Sequence, residues 1–142
     1  MALVARADKA SPNIKKQILY TDIFTSAMFN VDTRDVQLAE NEDAVKQSIL
    51  NILLTSRGER FFNYNFGSDI KKILFENMTP QTSSMLVEFI KSSIENFEPR
   101  ANLLDVKVNP YYDDNAYTVT IVFNIINKTE PVTLEFLLNR VR

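Results

Sequence analysis

Apolar positions change their spacing along the chain, and the changes mark its elements. Val45, Ile49, Ile52 and Leu53 recur at i, i+4, i+7 and i+8 and predict a first helix over Glu42 to Arg57. Asn41 is the expected N-cap, and Glu42 and Asp43 suit the positive end of the helix. Gly58 stands where a left-handed C-cap would fall. Gly67 permits a turn into a second, shorter helix, capped by Ser68, with Ile70, Ile73 and Leu74 inward. A third helix begins at Thr79-Pro80, an N-cap followed by a proline that forfeits no hydrogen bond at the first helical position. Its buried face is Leu86, Ile90, Ile94 and Phe97. Pro99 closes it, because the residue before a proline is pushed out of the α region.

Past Pro99 the period falls to two. Leu104, Val106 and Val108 alternate with polar residues as a half-buried strand, and Pro110 with Asp113-Asp114-Asn115 supplies a turn. Tyr117, Val119, Ile121, Phe123 and Ile125 form one face of the next strand, with Thr118, Thr120 and Asn124 on the other. Asn127 to Pro131 reverses the chain, and Val132, Leu134, Phe136 and Leu138 line the last strand. Earlier, Ala27, Phe29 and Val31 predict one strand followed by a turn at Asp32 to Asp35, and Phe62, Tyr64 and Phe66 share a side if their segment is extended. The pattern predicts an α+β fold: about three helices packed on an antiparallel sheet that includes a long C-terminal β-hairpin. Residues 1–19, with Arg6, Lys9, Lys15 and Lys16 against Asp8, form a basic arm, and residues 20–142 a single domain. Such an arm is either a contact for an acidic partner or a frayed terminus.

The hairpin is long. Residues Ala116 to Ile126 extend over roughly 36 Å, against a diameter near 37 Å for a compact chain of this length. It therefore crosses the whole domain or projects from it. An uncovered edge strand is a template for pairing with another chain. Arg140 and Arg142 as edge guards are the alternative.

Composition narrows the function. The 142 residues include no Cys and no His, which excludes thiolate chemistry, Ser-His-Asp and Cys-His catalysis, and the commonest metal ligand. With two glycines, neither a dinucleotide fingerprint nor a P-loop can be written. A net charge of −2 gives no field suited to nucleic acid. No signal peptide and no membrane-spanning run is expected. Ser68-Asp69-Ile70-Lys71 matches S-x-x-K without its partner motifs. Asp113-Asp114-Asn115 lacks the spacing of a calcium loop. Glu95 and Glu98 have a spacing common on any solvated helix face, although a carboxylate pair is what glycan hydrolysis would need. Glu98-Pro99-Arg100 differs in kind: a rigid corner fixes a carboxylate and a guanidinium at the end of a long helix, either paired internally or poised for a partner.

Thr55-Ser56-Arg57-Gly58-Glu59-Arg60, Phe66-Gly67, Leu74-Phe75-Glu76-Asn77-Met78-Thr79-Pro80 and Phe97-Glu98-Pro99-Arg100, in this order, resemble the small baseplate wedge family of contractile-tailed phages (gene product 25 of T-even-type phages), with TssE of type VI secretion among its relatives. The resemblance covers roughly residues 42–140. Where family members often carry a proline after the Gly-x-Arg element, this chain has Phe61-Phe62-Asn63-Tyr64. The resemblance implies a non-enzymatic structural subunit of the virion tail baseplate, assembled in the host cytoplasm, without cofactor, metal, small-molecule substrate, membrane or nucleic acid. Its implied partners are the larger wedge subunits, the tail sheath protein, and the tail tube or central hub. Glu98, Pro99 and Arg100 would engage the wedge core bundle. Thr118, Thr120, Val122 and Asn124, with Thr133, Glu135, Leu137 and Asn139, would take part in strand exchange with the first sheath subunits. Some members carry an older lysozyme label, and a peptidoglycan hydrolase is the alternative function.

Overall fold

The computed structural model of the protein describes residues 18–25, 29–31, 34–126 and 128–140. Two small antiparallel ladders come first: β1 (Thr21–Ile23) with β4 (Leu38–Glu40), and β2 (Phe29–Asn30) with β3 (Asp35–Val36). Three helices follow, α1 (Glu42–Leu54), α2 (Ile70–Ile73) and α3 (Pro80–Phe97), then β5 (Ala101–Tyr111), β6 (Ala116–Ile125) and β7 (Pro131–Asn139). The last three strands form an antiparallel sheet in the order β5-β6-β7. The α+β expectation holds. The single strand expected at Ala27 to Val31 is instead one arm of a two-residue ladder, with Ala27, Asp32 and Thr33 outside the described residues.

The helices cover one face of the sheet. Val45, Ile49 and Leu53 of α1, Ile70 and Ile73 of α2, and Leu86, Ile90 and Ile94 of α3 pack with Tyr117, Val119, Ile121, Phe123 and Ile125 of β6 in one core. Thr79 caps α3 as expected, its hydroxyl accepting from the Thr82 N–H at 3.1 Å. The other two expected caps are employed elsewhere. Asn41 precedes α1, but its buried Oδ1 accepts from the backbone N–H groups of Leu19 (2.8 Å) and Tyr20 (3.4 Å), holding the incoming chain against the helix. Ser68 does not cap α2; its Oγ donates to the Leu53 carbonyl at 2.6 Å and satisfies the end of α1.

That bond also explains why α1 stops at Leu54 and not Arg57. Thr55 turns extended, its carbonyl accepts from Ser68 N at 2.9 Å, and Ser56 and Ser68 form a parallel bridge. Gly67 is required here: its φ is +112°, and a Cβ would sit 2.4 Å from the Thr55 carbonyl oxygen. Gly58 has φ +85° in open space, in a turn beyond the helix end and not as its cap. The segment between is not extended. Phe61, Phe62 and Tyr64 face solvent, while Phe66 turns back against Phe97 with ring centroids 5.2 Å apart.

Two strand expectations shift. Leu104 is 56% exposed, because a bulge between Leu103 and Asp105 changes which residues of β5 face the core: Ala101 before it, Val106 and Val108 after it. Pro110 lies within β5, opposite Tyr117, and not in the turn. The position is tolerated because β5 is an edge strand.

Candidate functional site

Proline at position 99 sets the corner between α3 and β5. Glu98 takes φ −125° and ψ 79°, leaving the helix with its N–H still bonded to Ile94 O. Its carboxylate turns inward and is 2% exposed. Arg100 grips it through both edges of a planar fork, Nε to Oε1 at 2.6 Å and Nη2 to Oε2 at 2.8 Å, and the Arg100 N–H adds a bond at 3.3 Å. Burial pushes the Glu98 carboxyl upward, but the Arg100 hydrogen bond, the Ser48 hydroxyl and the guanidinium charge outweigh it, and the group is held below the usual carboxylate range. The Glu98 bond in turn raises Arg100. The Arg100 side chain remains 31% exposed, 5.5 Å over the Tyr20 ring. Pro99 is exposed.

The pair is thus internal and open to solvent on its arginine side. It sits at one end of the sheet, since Arg100 O accepts from Ile126 N at 2.9 Å just past the end of β6. The same end carries the β6–β7 turn, which Lys128 ties to Glu42 at 2.6 Å.

The strand-exchange residues divide by topology. β6 is the middle strand, paired along its length with β5 and β7. The backbone of Thr118, Thr120, Val122 and Asn124 is therefore engaged on both sides within the sheet. They lie half-buried on the face away from the helices. Thr133, Glu135, Leu137 and Asn139 continue that face on β7 and are exposed. Thr133 lies opposite Val122, Glu135 opposite Thr120, and Leu137 opposite Thr118. Among the described residues no strand pairs with the outer edge of β7. Arg140, expected near that edge as a guard, is instead held by Asn77 Oδ1 at 3.1 Å and, through its N–H, by Asn115 O; Arg142 lies outside the described residues.

The other candidates do not assemble. Glu95 is exposed and Glu98 buried, so they form no facing pair. Asp113-Asp114-Asn115 is a turn, with Asn115 at φ 51°. Among the described residues no cluster of three or more His, Cys, Asp or Glu could hold a metal ion.

The architecture is similar to that of a Geobacter sulfurreducens protein described as a proposed tail lysozyme, with a TM-score of 0.70 and 24% identity over 75% of this chain and 97% of that one. It is also similar to a chain of the anti-feeding prophage baseplate, with a TM-score of 0.60 and 24% identity over 87% of each chain. At that identity both show the fold alone. Sequence carries further: the chain is 38% identical over 120 residues to baseplate wedge protein gp25 of Enterobacteria phage T4, covering 84% of this chain and 89% of that protein. Fold and sequence together define a small structural subunit of the contractile-tail baseplate class. The model of the baseplate wedge protein gp25 family matches residues 39–130, and the chain belongs to that family.

Proposed function

We propose that this subunit docks on the wedge core bundle through the Glu98-Pro99-Arg100 corner and starts sheath assembly by accepting or lending strands along β7. The observation that carries the reading is the outer edge of β7, which pairs with no strand among the described residues. Exposed N–H and C=O groups along a strand bind another strand by repeated backbone bonds, with alternating side chains setting register. The proline-fixed corner supplies a second, rigid contact at the turn end of the same sheet. On this reading the partners are the larger wedge subunits, the sheath protein, and the tail tube or hub, and assembly takes place in the host cytoplasm.

The role is non-enzymatic. A glycosidase acid needs a carboxyl raised toward neutral pH. Glu98, the buried carboxylate among the described residues, is held in the opposite direction.

The test mixes the purified protein with its cognate wedge and sheath subunits and follows co-sedimentation and ring formation by negative-stain microscopy. The double variant Glu98→Gln/Arg100→Ala removes the corner's charges without stranding one of them, and is expected to fold yet fail to enter the wedge. Glu135→Pro and Phe136→Pro are compared singly. Neighbouring strand residues point their N–H groups to opposite sides, so one variant loses a β6–β7 bond and the other blocks the free edge. The variant that keeps its melting temperature is expected to enter the wedge but seed no sheath rings. Normal rings from that variant would overturn the strand-lending role, and normal wedge entry by the double variant would overturn the docking role.

A further inference from the structure

Three separated stretches of chain meet at the corner. Glu98 and Arg100 come from the link between α3 and β5, Ser48 of α1 hydrogen-bonds the Glu98 carboxylate, and Tyr20 of the incoming chain sets its ring against the Arg100 guanidinium. The Glu98 fork uses Nε and Nη2 of Arg100, and Nη1, without a bond among the described residues, is the group left for a partner. Tyr20 is held in turn by Asn41 through both of its backbone groups. Asn41 Oδ1 accepts from the Tyr20 N–H at 3.4 Å and from the Leu19 N–H at 2.8 Å, and the Asn41 N–H donates to the Tyr20 carbonyl at 2.8 Å. Asn41 is 1% exposed, with φ 49° and ψ −102°. Glycine reaches that backbone freely, and an L side chain only with strain. What asparagine adds at a position where glycine would relieve the strain is its side chain, and the Oδ1 of that side chain serves Leu19 and Tyr20.

We propose that Asn41 and Tyr20 are positioning residues of the docking corner: the Asn41 clamp fixes Tyr20, the Tyr20 ring and the Glu98 fork together hold the Arg100 guanidinium, and the guanidinium meets the wedge partner already oriented. The inference rests on the docking reading of Glu98-Pro99-Arg100 and adds to that corner a second wall from a distant part of the chain. An arginine side chain loses rotamer freedom when it docks, and ordering it beforehand lowers that cost to binding. The fork constrains one edge of the guanidinium. An aromatic ring within about 6 Å attracts the cation and narrows the motion that remains. Tyr20 packs against the hydrophobic core, so its ring is a fixed support. The clamp adds little to stability. Leu19 is 42% exposed, so water replaces Oδ1 on its backbone N–H when the side chain is removed, and the strain at Asn41 offsets the bonds that its side chain makes. Docking and stability therefore separate at this residue.

The test titrates the full chain against its purified cognate wedge subunits and measures the melting temperature of each variant alongside its affinity. Tyr20→Ala is expected to weaken wedge binding about tenfold, and Tyr20→Phe, which keeps the ring, to stay within about twofold of the wild type. Asn41→Gly relieves the strained backbone and keeps the N–H bond to the Tyr20 carbonyl, but removes the side-chain clamp. It is expected to melt within about 3 °C of the wild type, to exchange the Leu19 and Tyr20 amide hydrogens about tenfold faster, and to bind the wedge about fivefold more weakly. A structural role alone would move the melting temperature and leave the affinity of the folded protein unchanged. Wild-type affinity in Tyr20→Ala and Asn41→Gly, with binding lost in Glu98→Gln/Arg100→Ala, would overturn the positioning role and leave the docking reading standing. Normal binding by that double variant would overturn both. Equal losses in Tyr20→Phe and Tyr20→Ala would also overturn the positioning role, because the hydroxyl and not the ring would then carry the effect.

Discussion

Arg100→Ala is the most informative single substitution, because it strands a carboxylate that is 2% exposed. Breaking a fully buried ion pair by removing one partner costs about 3–5 kcal/mol. Here the arginine side is 31% exposed, so water partly replaces it and the cost falls to about 2–3 kcal/mol. Loss of the guanidinium from above the Tyr20 ring adds about 0.5 kcal/mol. A total near 3 kcal/mol lowers the melting temperature of a 142-residue chain by about 10 °C. The measurement is a thermal melt followed by circular dichroism at pH 7 and at successively lower pH. Glu98 is depressed in the folded wild type, so its contribution is fully present above the unfolded carboxylate value, about 4.3, and is lost as pH falls through the folded one. In the variant, burial without the cation pushes the carboxyl upward, and protonation relieves the penalty. The gap between the two proteins is therefore widest at neutral pH and narrows toward pH 4. Glu98→Gln/Arg100→Ala recovers most of the loss. A variant melting within about 2 °C of wild type at pH 7 would refute the claim that this pair fixes the corner. Impaired docking by Arg100→Ala would then report a direct contact.

The two glycines form a matched pair for the same assay. Gly58→Ala meets only the cost of a left-handed backbone, about 1 kcal/mol, whereas Gly67→Ala also drives its Cβ into the Thr55 carbonyl and is expected to lose at least about 3 kcal/mol; equal losses would count against the close approach. In β5, Leu104→Ser is expected to change stability by less than about 0.5 kcal/mol, while Val106→Ala costs about 2 kcal/mol. A larger loss at Leu104 would mean that the bulge does not carry it to the surface.

The helices and the last two strands were legible because each rests on a local signal: the heptad-like spacing of Val45 to Leu53, the Thr79-Pro80 start, and the alternation from Tyr117 to Leu138. What escaped depends on distant partners. Asn41 and Ser68 are good caps by propensity, yet their side chains serve Leu19 and Leu53, residues brought near only by the fold. An added residue in a ladder leaves no periodic trace, so Leu104 looked like a core position. The aromatic run from Phe61 to Phe66 suggested an extended segment, but Phe62 lies at φ 68° and only Phe66 turns inward. At the site, the Glu98–Arg100 pair is legible because two residues and a proline confine it. Which strand offers an edge depends on the sheet order, and that order puts β6 in the middle.

The closure between Thr55 and Ser68 has a practical consequence. Gly58 N bonds to Tyr64 O at 2.9 Å, and the strands of chain entering and leaving the loop are pinned together by Ser68, so the tip at Phe61 and Phe62 hangs from a sealed neck. Compact loops whose ends meet in this way tolerate exchange of their tips, because little strain passes through the neck. A fluorophore or short affinity sequence grafted in place of Phe62 would ride rigidly on the subunit, as a fixed marker for watching single baseplates assemble and fire.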